Sequence, residues 1–193
     1  MPDEKQTKVG AVMALAGRRI DAERACPERF PMRNRLLVRQ RLKELLFAEG
    51  AAALVCSAAC GADLIALEVA KELGLPRRIV LPFEPGRFRH TSVTDRPGDW
   101  GPVFDCLIEA AKATGDLVVL QADAEGSEAS AYAAANERIV LEAAARARES
   151  DPPMRVVSVV VWEGAPKNED DATEGFRALA TNASFESREV RTL

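Results

Sequence analysis

The sequence predicts an α/β fold with a mainly parallel central sheet and helices on both faces. Three observations predict it. Short β-rich apolar runs alternate with helical patterns along the whole chain. The strand-like runs are apolar throughout, as in strands covered on both faces. Gly or Pro closes most of the runs, at Gly17, Gly50, Gly74 and Pro82. At 193 residues the chain suits one large domain, residues 1–193.

Val9 to Ala16 reads as the first strand, ending at Gly17. Arg33 to Glu49 follows as an amphipathic helix, carrying Leu36, Leu37, Leu42, Leu45 and Leu46 among Arg and Lys. Ala52 to Cys56 is the second strand and Ala62 to Leu73 the second helix. Arg78 to Leu81 is the third strand, stopped by Pro82. Glu84 to Asp99, with Pro85, Gly86, Pro97 and Gly98, reads as a long polar loop of functional length. Val103 to Ala113 is a helix, Asp116 to Leu120 a fourth strand, and Glu128 to Glu149 a long Ala-rich helix. Val156 to Trp162 is the most β-branched stretch, hence a central strand. Ala172 to Thr181 is a last helix and Glu186 to Arg191 an edge strand. The alternation gives a Rossmann-like fold with right-handed crossovers.

Composition narrows the function. A net charge of −4 with mixed signs argues against a duplex nucleic-acid partner, leaving single-strand contacts by Arg-rich loops open. No apolar run reaches the roughly 18 residues a membrane helix needs, and nothing reads as a signal peptide, so a cytoplasmic location is expected. The four cysteines form no C-x-x-C pair, which disfavours zinc. Cys56, at a strand end, and Cys106, on the apolar face of a helix, are expected as reduced core thiols. No metal site and no required cofactor is expected. The Ala-rich helix offers a face for a homodimer.

In such a sheet, ligands bind beyond the carboxyl ends of the strands, where strand order reverses. Three strand ends carry candidate chemistry. Ser57-Ala58-Ala59-Cys60-Gly61-Ala62-Asp63 joins the second strand to the second helix. Small residues there let a ligand approach the backbone, Gly61 tolerates a positive φ, and the helix start offers amides to an anion. Asp63 either caps the helix or holds a ribose hydroxyl. Gly17-Arg18-Arg19 follows the first strand, where an arginine pairs with a phosphate or, alternatively, with nearby Asp21 at the surface. Trp162-Glu163-Gly164 ends the central strand. There Trp162 either stacks on a base or covers the sheet, and Glu163 is a candidate general base or sugar ligand.

His90, the only histidine, sits near Arg87, Arg89, Thr91 and Ser92, and is expected to be exposed and non-catalytic. Its loop is a candidate lid, with the two arginines supplying charge and Trp100 anchoring the base. Tyr132 and Asn136 share a helical face at i and i+4, placed to reach a pocket.

The strand end at Gly17-Arg18, the Ser57-to-Asp63 loop and Val80-Leu81-Pro82-Phe83 together resemble the SLOG superfamily of Rossmann-like proteins. That superfamily includes DNA-processing protein A and the Lonely Guy phosphoribohydrolases. The similarity is nearer to bacterial SLOG-like domains found beside tetratricopeptide repeats or cyclases in signalling proteins. Tyr132…Asn136, Val161-Trp162-Glu163-Gly164 and Asp171-Ala172-Thr173 also resemble segments of those domains, so the similarity spans about residues 9 to 181. It implies a pocket for nucleotides or their derivatives, lined by Gly17, Arg18, Ser57, Gly61 and Asp63.

The phosphoribohydrolases carry Pro-Gly-Gly-x-Gly-Thr-x-x-Glu after a later strand. Gln121 to Ser130 has only Gly126 in its place. The resulting expectation is a nucleotide-binding sensor module of bacterial signalling or defence, binding through Gly17, Arg18, Ser57, Ala58, Gly61, Asp63, Trp162 and Glu163. Two alternatives stand beside it. One is an N-glycoside hydrolase or transferase using Glu163 or Asp123. The other is a protein-interaction domain with a vestigial pocket, marked by a large apolar patch that the charges of Arg33 to Glu49 do not favour.

Overall fold

The computed structural model of the chain describes residues 10–120, 127–168 and 170–193. Its centre is an all-parallel sheet, six-stranded among the described residues, in the order β4-β3-β2-β1-β5-β6. The strands are β1 (Ala11–Gly17), β2 (Ala51–Cys56), β3 (Arg77–Leu81), β4 (Leu117–Val119), β5 (Arg155–Trp162) and β6 (Glu186–Arg191). The helices are α1 (Arg35–Ala48), α2 (Ala62–Glu72), α3 (Pro85–Ser92), α4 (Gly101–Thr114), α5 (Glu128–Glu149) and α6 (Ala172–Asn182), with a short 3₁₀ turn at Met32–Asn34. The architecture is Rossmann-like.

The order explains where the helices lie. From β1 to β4 the chain steps outward in one direction, then returns across the sheet and continues through β5 and β6 on the other side of β1. With right-handed crossovers, reversing direction moves the connecting helices to the opposite face. Accordingly Met13 and Leu15 of β1 pack in one cluster with residues of α1, α2 and α4. Val12 and Ala14, pointing the other way, pack in a second cluster with Ala135, Ile139 and Ala143 of α5 and Phe176 of α6. Both faces of β1 are buried, which is why its sequence carries no polar alternation.

Three expectations need correction. Residues 84–99 are not one open loop: Pro85 opens α3, and Phe88 is 1% exposed, its ring stacked 6.1 Å from that of Phe104. Pro pre-set for a first helical turn and one buried aromatic suffice to order what composition marks as polar coil. Cys106 lies on the exposed side of α4, with Lys71 Nζ 3.7 Å from its sulfur, because the buried stripe runs through Phe104, Leu107, Ile108 and Ala111. On α1 the core face is Val38, Leu42 and Leu46, whereas Leu36 and Phe47 are 75% and 82% exposed. The charges between them do not prevent that helix from presenting apolar side chains to solvent. No helix is long and apolar enough to cross a membrane.

Candidate functional site

Strand order reverses between β1 and β5, and a cavity of about 380 Å³ opens above the carboxyl ends of β1 and β2. That volume lies within the roughly 300–1,000 Å³ of small-molecule sites. Gly17, Arg18 and Arg19 line it from β1, and Ser57, Ala59 and Asp63 from the β2–α2 turn. Phe88, Thr91 and Ser92 come from α3, and Tyr132, Ala135, Asn136 and Ile139 from α5. Lys167, Asn168, Asp170 and Asp171 come from the β5–α6 connection. Of the residues singled out from sequence, Gly17, Arg18, Ser57 and Asp63 lie in the lining. Ala58, Gly61, Trp162 and Glu163 do not.

Arg18 is buried, at 2% exposure, and its guanidinium is engaged by the protein. Nε donates to Glu163 Oε2 at 2.7 Å, and Nη2 donates to Glu163 Oε1 at 3.2 Å and to the Ala165 carbonyl at 2.7 Å. Nη1 donates to both oxygens of Asp171 at 2.6 Å. It is therefore neither a free phosphate ligand nor a surface partner of Asp21. Asp21 instead accepts the backbone amides of Arg29 and Phe30 at 2.8 and 2.9 Å. Glu163 also accepts from Arg29 Nη1, so both of its oxygens are taken. Burial works against ionisation of Glu163 and Asp171, but the hydrogen bonds and charge of Arg18 outweigh it, and both carboxyls sit below their ordinary pKa.

The effect of Arg18 is to fasten the β5–α6 connection to the end of β1. Asp171 is also the N-cap of α6, accepting from the Thr173 amide at 2.9 Å, and it accepts the Lys167 amide at 2.6 Å. One buried arginine thus shapes the wall that carries Lys167. The Lys167 side chain has no hydrogen-bond or ion-pair partner among the described residues. Its ammonium lies below the ordinary lysine pKa, through desolvation and then the charge of Arg18. Trp162 covers the sheet: it is 4% exposed, packs with Phe176, and has the guanidinium of Arg18 5.8 Å from its ring.

The small-residue loop is close to backbone, as its composition implies, but the backbone is the chain's own. A Cβ on Gly61 would sit 2.7 Å from Ile20 N and 2.8 Å from Arg18 O, and one on Gly17 would sit 2.5 Å from Ala62 Cβ. The Ala62 amide donates to Arg18 O at 3.1 Å and the Cys60 amide to Ser92 O at 2.9 Å. The Ala59 amide donates to Asp63 Oδ2 at 3.2 Å. An anion cradle needs such amides free, so the expected helix-start phosphate site is largely closed.

The feature the loop does present is Asp63. It is 6% exposed, and its Oδ1 is buried without a hydrogen-bond partner among the described residues. Desolvation pushes its pKa up to about 7, against the ordinary 3.8. The folded state therefore holds a proton that the unfolded state has lost between about pH 4 and 7, and stability falls as pH rises through that window. Asp63→Asn is expected to remove this slope, and to exceed the wild type by about 4 kcal/mol at pH 8 and by little at pH 4. Urea denaturation at the two pH values checks it.

Opposite the loop, Tyr132 Oη and Ser92 Oγ share a 2.6 Å hydrogen bond that joins α5 to α3 across the cavity. Asn136 Nδ2 donates to the Ala172 carbonyl at 2.7 Å. His90 is exposed, Arg89 pairs with Asp105 at 2.8 Å, and Arg87 lies 3.8 Å over the Phe83 ring. Neither arginine lines the cavity. Trp100 is buried and donates to the Pro97 carbonyl at 2.8 Å, which holds the end of that segment. Asp123, in residues 121–126, falls outside the described residues. Among those described, no group of carboxylates, Cys and His is arranged to hold a metal ion.

The sequence matches no protein-family model and no curated protein at significant similarity. Sequence reasoning missed Lys167, Arg29 and the tie between Arg18 and Asp171. Asp171-Ala172-Thr173-Glu174 carries the spacing of a helix cap, which locates Asp171 at a helix start. Nothing in the sequence pairs it with an arginine 153 positions earlier.

Proposed function

We propose that the chain is a nucleotide- or nucleotide-derivative-binding module of the SLOG type, serving as a ligand sensor in bacterial signalling or defence. The observation that carries the reading is the cavity of about 380 Å³ beside the strand-order reversal, with an apolar portion of its wall and several polar and charged groups around it. Ala135, Ile139 and Phe88 suit the flat face of a base, and Lys167 suits an anion. Binding is favoured over glycoside hydrolysis because Glu163, one of the two carboxylates the hydrolase reading names beside Asp123, lies outside the lining with both oxygens held by arginines.

A thermal-shift screen against nucleoside phosphates, cyclic nucleotides, ADP-ribose and NAD tests the reading, with product analysis of each hit. A ligand at one hundred times its Kd adds about 2.7 kcal/mol, which raises Tm by several degrees in a chain of this size. The expected result is such a shift without turnover. A shift with released base would replace the sensor by a glycosidase, and no shift with any compound would remove the nucleotide reading.

A further inference from the structure

The β2–α2 turn contributes an acid to a cavity whose proposed occupant class is anionic. Asp63 Oδ2 is satisfied by the Ala59 amide, but Oδ1 is buried with no donor, in a residue that lines the cavity. A buried carboxylate oxygen without a donor is costly to the folded chain, and a ligand that brings one recovers that cost on binding. Ser57, on the same turn and in the same lining, has no side-chain hydrogen-bond partner among the described residues. One acceptor and one hydroxyl from the same turn, both in the lining of the cavity, match the hydroxyls of a sugar.

The charge distribution sets the direction of the ligand. A phosphate at Asp63 would meet a desolvated carboxyl that becomes a like charge on losing its proton, and the amides that would offset it are already bonded within the chain. Lys167 stands on the connection that follows β5, a strand that β1 separates from β2 in the sheet. A neutral hydroxyl donor satisfies Oδ1 without adding charge to the site.

We infer that Asp63 and Ser57 form a ribose-hydroxyl subsite, with Asp63 Oδ1 accepting from a sugar hydroxyl while the ligand's phosphate lies toward Lys167. This deepens the nucleotide reading and rests on it. The ligand class is a 5′-phosphorylated ribose, either free or carrying a base, and Asp63 is the residue that separates ribose from deoxyribose.

Isothermal titration tests it, using the four ribonucleoside 5′-monophosphates, their 2′- and 3′-deoxy analogues and ribose 5-phosphate. The expected result is that at least one ribonucleotide binds about tenfold or more tightly than a deoxy analogue. Asp63→Ala and Ser57→Ala then reduce that preference, and Lys167→Ala weakens ribo and deoxy forms equally. Equal affinity for ribo and deoxy forms in the wild type would overturn the subsite while leaving the nucleotide site standing. That comparison needs no variant, so it holds even where Asp63→Ala fails to fold. Binding of ribose 5-phosphate as tight as that of any nucleotide, with the same dependence on Asp63, supports the subsite and identifies a free sugar phosphate as the occupant. No binding by any of these probes would overturn the subsite, while the nucleotide reading stands or falls on the wider thermal-shift panel.

Discussion

Replacing Arg18 with methionine is expected to destabilise the protein by about 3–5 kcal/mol, because it strands two buried carboxylates. The side chains of Arg18 and Asp171 are 1% and 2% exposed, and that of Glu163 is 10% exposed, so water cannot replace the lost partner without opening the wall. For a domain of this length the loss corresponds to a fall in Tm of roughly 10 °C. Chemical denaturation of the variant measures it. The triple variant Arg18→Met, Glu163→Gln, Asp171→Asn discriminates the cause: with neither carboxylate left stranded, much of the loss should be recovered. A loss under about 1 kcal/mol for Arg18→Met would mean that the carboxylates are solvated and the clamp has no structural weight.

Gly61→Ala carries the second large effect. Gly61 adopts φ 103° and ψ −123°, a region of backbone space essentially restricted to glycine. An added Cβ would also meet Ile20 N, Arg18 O and Arg19 C at 2.7, 2.8 and 3.0 Å, all of them backbone atoms that cannot rotate away. Strain and collision together are expected to cost about 3 kcal/mol or more, measured by urea denaturation. Because Ala62 N and Ile20 N tie this turn to the end of β1, the same substitution should also displace Arg18 and disturb the cavity. A variant as stable as the wild type would show that the turn and the β1 end are not packed together.

The fold was legible because it depends on local patterns. Val156 to Trp162 has no polar residue on either side except Ser158, and it forms an inner strand between β1 and β6. The helix from Glu128 to Glu149 has the bounds that its capping Ser127 and the following Pro152 suggest. Where reading failed, one tertiary contact outweighed composition: Phe88 buried against Phe104 makes a helix of a polar stretch.

The candidate site was legible only as a set of positions. Glycine and small residues at Gly17 and Ser57 to Asp63 mark a close approach, but sequence cannot say whether a ligand or the chain itself approaches. Here it is largely the chain. Arg18 looked like a ligand contact for the same reason, since a long-range ion pair leaves no local signature. Lys167 was overlooked because a lysine in a polar connection resembles any surface lysine until the fold turns it toward a cavity.

The most direct test of the account is titration of the tightest-binding nucleotide into the wild type and into Ala59→Phe. Ala59 lines the cavity and is only half-buried, at the edge of the core, so a larger side chain there takes up ligand space. The account predicts saturable one-to-one binding to the wild type, and loss of binding in a variant that keeps its fold by circular dichroism. Undiminished affinity in Ala59→Phe would contradict it, placing the nucleotide somewhere other than this cavity.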